Sequence, residues 1–357
     1  MIEPGSIIGI LGGGQLGRML AHAASKLGYR VHIFTNEKDS PASHVAFKTT
    51  VAEYTDTQAL EAFAKQVSVA TIEFENIPVE TVAHVAKHIA VNPGTEVLRI
   101  CRNRIREKTF VNQHDVETAP FHLVTNLEEL RAAALEVGFP CVLKTTEMGY
   151  DGKGQEMLHQ LGDVEPAWNA LKTSEAILEG FVDFRAEISV IIARNEQGEM
   201  AVYPPVQNHH RHHILDPTIA PAPINRTLSD QAQNMAKTIA QGLGLIGLLC
   251  VEMFVTKDDR LLVNELAPRP HNSGHWTIDA CHTSQFEQCV RAVCGLPFGS
   301  TARFCDAEMK NLIGDDIAMW HDAVRDPMAK IHLYGKTETR KGRKMGHITY
   351  LKLPRSQ

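Results

Sequence analysis

The chain has 357 residues, 43% of them hydrophobic and 22% charged, which suits a globular protein of roughly two or three domains. Its formal net charge is −6 and it has no long basic tract, which argues against a general nucleic-acid-binding protein. No segment approaches the ~18 apolar residues of a membrane span. The N-terminus lacks signal-peptide features and the seven cysteines form no CxxC pair, so we expect a reduced, cytoplasmic protein.

The first ~100 residues alternate between predicted strands and helices. Apolar runs predict strands over 6–11, 30–34, 69–74 and 89–91, and helical periodicity predicts helices over 15–27, 57–66 and 78–87. This alternation predicts a parallel sheet wrapped by helices. A charged helix over about 95–112 follows, and we interpret it as a connector.

The rest of the chain mixes longer strands with fewer helices. Strands are predicted over 141–144, 176–179, 184–193 and 200–203, and helices over 163–172, 228–243 and 284–294. Two β-prone runs, 251–256 and 260–265, predict a hairpin, and the last fifty residues mix short strands with a basic turn.

A glycine motif, Gly12-Gly13-Gly14-Gln15-Leu16-Gly17, separates the first strand from the first helix. Backbone amides at such a helix start can hold a phosphate or a carboxylate. A dinucleotide-binding fold is one interpretation, because Glu37 follows Gly17 at the expected distance. A purely structural tight turn is the other.

A second glycine-rich segment, Gly149-Tyr150-Asp151-Gly152-Lys153-Gly154-Gln155, follows the strand over 141–144. Its glycines would let the backbone close over a polyphosphate, although it is not a Walker A motif because Gly154 follows Lys153. The alternative is a hairpin tip without a ligand. Lys144 ends a buried-type strand and needs a partner, which a nucleotide phosphate would supply.

Three further polar segments have both a functional and a plain interpretation. Glu179-Gly180-Phe181-Val182 suits recognition of an adenine and a ribose, or is a solvated strand end. Glu73-Phe74-Glu75-Asn76 ends a parallel strand, where ligands bind in open α/β sheets, or caps a helix. The basic turn 340–344, with Lys336, is a phosphate-ester anchor or a solvated loop.

The densest polar segment, 264–277, follows the apolar run 261–263. If Asp258-Asp259 is a two-residue turn, Glu252 lies directly opposite Glu265. Opposed carboxylates repel each other, and a divalent cation would remove the conflict. The alternative is two solvated glutamates on an edge hairpin. The histidines within 209–213 do not predict a zinc site, because adjacent imidazoles cannot all turn to one ion.

Taken in this order, the segments resemble those of the ATP-grasp superfamily and, within it, of the N5-carboxyaminoimidazole ribonucleotide synthases. The resemblance covers nearly all of the chain and is most specific in 264–277. It implies an ATP-grasp fold of classes α/β and α+β. Its parts would be an N-terminal Rossmann-like parallel α/β domain (1–112), a small lid domain (113–183) and a C-terminal α+β domain with the metal site (184–357).

The resemblance also implies a carbon–nitrogen ligase of de novo purine biosynthesis. ATP would phosphorylate bicarbonate to carboxyphosphate, which, directly or through CO₂, would carboxylate 5-aminoimidazole ribonucleotide to N5-carboxyaminoimidazole ribonucleotide, with release of ADP and phosphate. Mg²⁺, or Mn²⁺, would be the cofactor and ATP a cosubstrate. The partners would be these small molecules and a second copy of the chain, without nucleic acid or membrane.

The family pattern carries residue roles onto this sequence. The implied ATP-binding residues are Arg104, Lys144, Gly149, Tyr150, Asp151, Gly152, Lys153, Gly154, Gln155, Glu179, Gly180, Phe181, Val182, Glu187, His210, Asn264 and Glu265. The implied ribonucleotide-binding residues are Gly14, Gln15, Leu16, Glu75, Asn76, Arg269, His271, Lys336 and Arg343. The implied catalytic residues are Tyr150, Asp151, Arg269, His271 and Asn272, and the metal ligands are Glu252 and Glu265.

Three alternatives stay open at the level of sequence. One is an ATP-grasp ligase with another amine or carboxylate acceptor. Another is a nicotinamide-dependent oxidoreductase built on the first glycine motif. The third is a non-catalytic nucleotide-binding regulator.

Overall fold

The structure is a computed structural model that describes residues 1–147, 149, 154–211 and 214–352. The strands within these ranges form three sheets, which follow one another along the chain. Among the same residues, no helix combines the length and the apolar character needed to cross a membrane.

The first sheet is parallel, as the sequence predicts, and its strand order is β3-β2-β1-β4. Its elements are β1 (Ile7–Leu11), α1 (Gln15–Lys26), β2 (Arg30–Thr35), β3 (Lys48–Val51), α2 (Thr57–Ala64), β4 (Val69–Ile72) and α3 (Val79–Val85). The edge strand β3 is not predicted, because it is short and carries no apolar run. The predicted strand over 89–91 is reduced to an isolated bridge between Ala70 and Val91.

The predicted connector helix is instead two helices, α4 (Thr95–Arg102) and α5 (Arg104–Gln113). Asn103 separates them in an extended conformation, and its Oδ1 accepts the N–H groups of Ile105 and Arg106 at 3.1 Å. This N-cap starts α5 in a new direction. The prediction of a single helix is wrong, and the second helix does more than connect, because α5 buries Glu107 and Lys108 against the third sheet.

The second sheet is antiparallel, in the order β5-β8-β6-β7. Its elements are β5 (Phe121–Val124), α6 (Leu127–Val137), β6 (Cys141–Thr145), β7 (Gln155–Leu158), α7 (Val164–Leu171) and β8 (Ala176–Gly180). Strands β6 and β7 flank the second glycine segment, and Lys144 pairs with Gln155 at its base. Positions 150–153 of that segment lie outside the described residues.

The third sheet has nine described strands, all paired antiparallel. The strands are β9 (Phe184–Arg194), β10 (Met200–Val202), β11 (Val206–Arg211), β12 (Ile214–Ala220), β13 (Gly247–Thr256), β14 (Leu261–Ala267), β15 (Asp306–Ile313), β16 (Ala329–Leu333) and β17 (Lys344–Lys352). The helices are α8 (Arg226–Gly242), α9 (Thr277–Ala280), α10 (Gln285–Cys294) and α11 (Trp320–Ala323).

Helix α10 joins the first sheet to the third. Its residue Phe286 is fully buried in one hydrophobic cluster with Leu20 of α1 and Cys250 of β13. Burying a side chain of this size contributes about 1.5–3 kcal/mol. At the exposed end of the same contact, Lys26 Nζ lies 2.9 Å from Glu287 Oε2. The glycine motif after β1 is thereby held beside the polar segment after β14.

Candidate active site between two cavities

The hairpin of β13 and β14 places Glu252 directly opposite Glu265, as the sequence predicts. The predicted two-residue turn is wrong, however. The turn has three residues, 257–259, with Asp259 in the left-handed conformation (φ 62°), and Thr256 N donates to Arg260 O at 3.0 Å. Such a residue typically closes a three-residue hairpin turn.

A bulge in β14 restores the register of the two glutamates. Val263 pairs with Met253, whereas Glu265 pairs with Glu252, so Asn264 is the extra residue. The bulge leaves the Asn264 carbonyl to accept a hydrogen bond from Lys108 Nζ at 3.1 Å. Bulges commonly re-aim side chains beside active sites.

The negative charge of the two opposed carboxylates is only partly offset by the side chains beside them. Burial, and then the charge of Glu265, raise the pKa of Glu252 above its ordinary value. His271 Nε2 lies 3.1 Å from Glu252 Oε1, and Arg104 Nη1 lies 3.3 Å from Glu265 Oε2. Excess negative charge in a half-buried oxygen cluster suits a hard divalent cation.

A second group of possible metal ligands also contains Glu252. Ligand atoms of Cys250, Glu252 and His271 lie within 4.8 Å of one another. Burial raises the pKa of Cys250 well above its ordinary value, so it stays a thiol, and Mg²⁺ takes oxygen ligands. The pair of Glu252 and Glu265 therefore fits a magnesium-type ion better than this grouping does.

A cavity of about 590 Å³ opens in front of the hairpin, between the second and third sheets. The predicted nucleotide residues that line it are Arg104, Lys144, Gly149, Gln155, Glu179, Gly180, Phe181, Val182, Glu187, His210, Asn264 and Glu265. Its volume is in the range of sites for nucleotide-sized ligands. Of the remaining predicted ATP residues, Gly154 lies at the base of the glycine segment, whereas Tyr150, Asp151, Gly152 and Lys153 lie outside the described residues.

Charges in this larger cavity form side-chain pairs. Lys144 Nζ lies 2.8 Å from Glu179 Oε2, and Lys108 Nζ lies 3.6 Å from Glu179 Oε1. Although burial acts to raise it, Lys108 and Lys144 lower the pKa of Glu179 to about 2. His210 forms an ion pair with Glu187, which raises the pKa of His210 against the effect of burial. Lys144 thus has the partner that its position requires.

A second cavity, of about 320 Å³, lies beside the first glycine motif. Gly14 N donates to Glu73 Oε2 at 2.5 Å and Leu16 N donates to Glu73 Oε1 at 3.2 Å. A Cβ on Gly14 would overlap the Glu73 carboxylate, which explains the need for glycine there. The protein's own carboxylate therefore uses the amides that a dinucleotide phosphate would need, which disfavours the oxidoreductase alternative.

Four of the described residues line both cavities: Arg269, His271, Asn272 and Lys344. Arg269 is held by Glu75, whose Oε1 accepts Nη2 at 2.8 Å and whose Oε2 accepts Nε. Within the described chain, neither polar atom of the Asn272 side chain has a hydrogen-bond partner. Burial, and then Arg269, lower the pKa of His271 well below its ordinary value. The shared wall thus offers a cation, a neutral imidazole and an unsatisfied amide.

The remaining residues predicted to bind the ribonucleotide lie in several different places around the two cavities. Gly14, Gln15 and Leu16 line the smaller cavity, Glu75 lines the larger one, and Asn76 lines a narrow cleft beside Arg104. Lys336 Nζ donates to Lys344 O at 2.8 Å, and Arg343 Nη1 donates to Glu338 O at 2.9 Å. Neither Lys336 nor Arg343 is among the described residues that line the two cavities, so their phosphate-binding role stays a prediction.

Sequence reasoning missed several polar residues of the site: Glu73 as a ligand of the glycine turn, Glu107, Lys108, His275 and Lys344. Glu73, His275 and Lys344 stand in segments that the sequence does single out. Glu107 and Lys108 carry no such signal, because α5 is charged on all sides. Burial, and then Glu265, raise the pKa of Glu107 to about 8.

Comparison with known protein families assigns three consecutive parts of the chain. Residues 6–102 match the ribonucleotide synthetase preATP-grasp domain, residues 109–286 the ATP-grasp domain, and residues 307–356 the phosphoribosylaminoimidazole carboxylase C-terminal domain. The fold class expected from the sequence is therefore confirmed.

Two curated relatives resemble the chain over nearly its whole length. The N5-carboxyaminoimidazole ribonucleotide synthase of Bacillus subtilis (strain 168) is 44% identical over 361 residues, which cover 100% of this chain and 94% of the relative. The bifunctional purine synthesis protein purC/E of Dictyostelium discoideum is 47% identical over 371 residues, which cover 98% of this chain and 37% of the relative.

Solved structures agree with the sequence relatives. An ADP complex of an N5-carboxyaminoimidazole ribonucleotide synthetase has a TM-score of 0.95 and 44% identity, and covers 99% of this chain and 94% of that one. The Aspergillus clavatus N5-carboxyaminoimidazole synthase, in complex with ADP and 5-aminoimidazole ribonucleotide, has a TM-score of 0.92 and 29% identity, and covers 98% of this chain and 94% of that one.

Proposed function

This chain belongs to the family of N5-carboxyaminoimidazole ribonucleotide synthases and is an ATP-grasp ligase, and we propose that its two cavities bind the two nucleotides of that reaction. The larger cavity takes ATP, and the smaller cavity takes 5-aminoimidazole ribonucleotide. The observation that carries this proposal is the wall of Arg269, His271, Asn272 and Lys344 that both cavities share. Ligands bound on the two sides of such a wall have their reacting groups held close together.

The reaction joins a phosphoryl transfer to a carboxylation. A bicarbonate oxygen attacks the γ-phosphorus of ATP, the bond from that phosphorus to the bridging oxygen breaks, and ADP leaves with carboxyphosphate formed. The exocyclic amine of the ribonucleotide then attacks the carboxyl carbon, or CO₂ released from it. Phosphate leaves, the amine loses one proton, and N5-carboxyaminoimidazole ribonucleotide results.

In the larger cavity, the side-chain pairs become ligand contacts. Lys144 and Arg104 bind the phosphates, with the glycine segment 149–155 as a lid that keeps the reactive intermediate from water. Glu179, Gly180, Phe181 and Val182 bind the adenine, and Glu187 with His210 binds the ribose. The pairing of Lys144 with Glu179 at 2.8 Å holds this lysine extended into the cavity before ATP arrives.

Glu252 and Glu265, beside Asn264, hold a Mg²⁺ or Mn²⁺ ion. When bound, such an ion offsets the negative charge of the ATP phosphates during transfer. The opposed carboxylates support this assignment, because burial and then the charge of Glu265 raise the pKa of Glu252, and a bound cation would offset that charge. Lys108 also stabilises β14, because its Nζ donates a hydrogen bond to the Asn264 carbonyl.

At the shared wall, Arg269 and Asn272 orient the carboxyl group that passes between the nucleotides. The guanidinium is held by Glu75 and the amide of Asn272 is unsatisfied, so both are ready to receive an anion. Gly14, Gln15, Leu16 and Asn76 bind the ribonucleotide, Lys336 and Arg343 its 5′-phosphate, and Tyr150 with Asp151 its amine.

Three further expectations belong to this proposal: the domain boundaries, the oligomeric state and the cellular location. We assign the domains to 1–112, 113–183 and 184–357, so that each contains one sheet; limited proteolysis should cut first near these borders. We also expect a homodimer, which light scattering on a sizing column would detect. The buried free thiols of all seven cysteines suit a cytoplasmic location.

The decisive experiment measures ADP release with Mg²⁺ and bicarbonate, with and without 5-aminoimidazole ribonucleotide. Wild type should show turnover that depends on the ribonucleotide, and Glu265→Gln should lose it while remaining folded. If glycinamide ribonucleotide or an amino acid stimulates ADP release instead, that compound is the acceptor and 5-aminoimidazole ribonucleotide is not. No turnover with any acceptor, despite ATP binding, would favour the non-catalytic regulator.

A further inference from the structure

A continuous chain of buried hydrogen bonds ends on one of the two proposed metal ligands. Asn208 Nδ2 donates to Ser189 Oγ at 3.1 Å, Ser189 Oγ donates to Ser273 Oγ at 2.6 Å, and Ser273 Oγ lies 2.9 Å from His271 Nδ1. On the other side of the ring, His271 Nε2 lies 3.1 Å from Glu252 Oε1. Ser189 and Ser273 are 0% exposed, so water does not compete for these bonds.

Two groups of fixed polarity set the direction of the chain. The amide nitrogen of Asn208 can only donate, which orients the Ser189 hydroxyl toward Ser273. The backbone N–H of Ser273, which can also only donate, points at His271 Nδ1 at 3.3 Å. His271 Nδ1 must therefore accept, and the single proton of the neutral ring lies on Nε2.

This tautomer determines what His271 can do. Its Nε2–H donates to Glu252 Oε1, which fixes the carboxylate and leaves the second oxygen for a cation. Its Nδ1 lone pair is occupied by two donors, both from Ser273. Neither ring nitrogen is thus available to accept the proton that the substrate amine releases.

Gln285 holds the same segment from the opposite side. Its Oε1 accepts the backbone N–H of His271 at 2.9 Å, and its Nε2 donates to the His271 carbonyl at 2.7 Å. The side chain of Gln285 is fully buried. The backbone of His271 is therefore fixed independently of its ring, so changes to the hydroxyl chain should alter the ring without moving the loop.

We propose that Asn208, Ser189 and Ser273 make His271 a positioning residue, which donates a hydrogen bond to Glu252 and does not act as the catalytic base. The metal role of Glu252 rests on the function proposed above; the tautomer of His271 does not. Partners of metal ligands typically change metal affinity or activity roughly 10–100-fold when removed.

The first test reads the tautomer directly, in the metal-free protein. Histidine-ring ¹⁵N spectra distinguish a ring protonated on Nε2 from one protonated on Nδ1, and His271→Gln identifies the signal of His271. We expect protonation on Nε2 alone in wild type, and the same tautomer with a shifted Nδ1 resonance in Ser273→Ala, because this variant loses the hydroxyl donor but keeps the backbone N–H donor. Protonation on Nδ1, or on both nitrogens, in wild type would overturn the proposal.

The second test replaces the ring with two amides. The amide nitrogen of His271→Gln reaches approximately the position of Nε2, whereas that of His271→Asn reaches approximately that of Nδ1. Binding of Mn²⁺ in the presence of ADP, followed by electron paramagnetic resonance, should weaken less than about threefold in His271→Gln and roughly 10–100-fold in His271→Asn. Turnover should follow the same order. Equal loss in both variants would overturn the positioning role.

The third test asks whether the serines act as one unit. Ser189→Ala and Ser273→Ala should each weaken Mn²⁺ binding, and the double variant should be no worse than Ser273→Ala alone. The matched control is Thr349→Val, because this hydroxyl is also fully buried but has no hydrogen-bond partner in the described chain. If the effects of the two serine variants add, or if Thr349→Val weakens Mn²⁺ binding equally, the serines contribute only by packing and the proposed hydrogen-bond chain is wrong.

Failure of the proposed function would look different from failure of this inference. If the ribonucleotide does not stimulate ADP release but the Nε2 tautomer is observed, the substrate assignment is wrong and the hydrogen-bond chain stands. If turnover depends on the ribonucleotide but His271→Gln is as inactive as His271→Asn, the positioning role is wrong and the function stands.

Discussion

The two cavities hold their carboxylates in different ways. In the larger one, Glu179 and Glu187 pair with basic side chains that an incoming nucleotide can also bind. In the smaller one, Glu73 is held by the backbone amides of Gly14 and Leu16. Side-chain pairs can exchange partners, whereas a carboxylate on backbone amides fixes the shape of its turn. We therefore expect ATP to reorganise the larger cavity and the ribonucleotide to enter a preformed one.

The largest effect should come from Arg269→Met, since Arg269 lines both cavities. The change leaves Glu75 buried without its partner, which costs about 3–5 kcal/mol of stability when a buried pair is broken. Urea unfolding measures this loss, and turnover should fall at least about 100-fold because a charged group at the reacting atoms is missing.

A double variant separates the two effects of Arg269. Glu75→Gln combined with Arg269→Met removes the uncompensated charge, so most of the stability should return while turnover stays low. Recovery of turnover together with stability would mean that Arg269 has only a structural role.

The next largest effect should come from a change in the larger cavity alone. Lys144→Met should weaken ATP binding by about 2–3 kcal/mol, or roughly 30- to 150-fold, because a desolvated charge contact to the phosphates is lost. Isothermal titration with a non-hydrolysable ATP analogue measures the change. The KM for the ribonucleotide should stay within about twofold of wild type.

The matched control for Lys144 is Lys257→Met. Lys257 Nζ lies 2.6 Å from Asp183 Oδ2, but both side chains are more than half exposed, at 69% and 66%. Exposed pairs contribute about 0–1 kcal/mol, so this variant should bind ATP as wild type does. Equal losses in the two lysine variants would contradict a specific phosphate contact.

The sequence predicts the parallel first sheet, the positions of both glycine segments and the opposition of Glu252 to Glu265. The last prediction succeeds although its turn is wrong, since the longer turn and the bulge at Asn264 shift the register in opposite directions. Alternation of apolar residues specifies which face a strand buries, but turn length and bulges depend on local conformations such as the positive φ of Asp259.

What the sequence does not predict is mainly contact between distant segments. The capture of the glycine motif by Glu73 joins positions 59 residues apart, and Lys108 reaches Asn264 across 156 residues. Nothing in the helix α5 distinguishes the buried Lys108 from the exposed Arg106, because the third sheet decides which face is buried. Family resemblance likewise names Lys336 and Arg343, but not the backbone carbonyls that hold them.

A smaller effect should come from Glu73, which holds the glycine turn beside the smaller cavity. Glu73→Ala leaves the amides of Gly14 and Leu16 without their acceptor, which should cost about 2 kcal/mol of stability. Glu73→Gln keeps one acceptor oxygen and should lose about half as much. Thermal unfolding measures both. The KM for the ribonucleotide should rise while that for ATP stays unchanged; a rise in both would show that the two cavities are not independent.

The smallest effect is a pH dependence at Lys336, one of the two residues proposed to bind the 5′-phosphate. Burial, and then the charge of Arg343, lower the pKa of Lys336 to about 8. The ammonium is therefore present at pH 7 and lost as the pH rises through 8, which weakens its hold on a phosphate dianion. We expect kcat/KM for the ribonucleotide to fall up to roughly tenfold between pH 7 and pH 9, since this ratio reports ionisations of the free enzyme. Lys336→Arg should remove the fall because arginine stays charged, whereas Lys336→Met should be uniformly weak and flat across this range. A fall that persists unchanged in Lys336→Met would assign the ionisation to another group and remove Lys336 from the phosphate site.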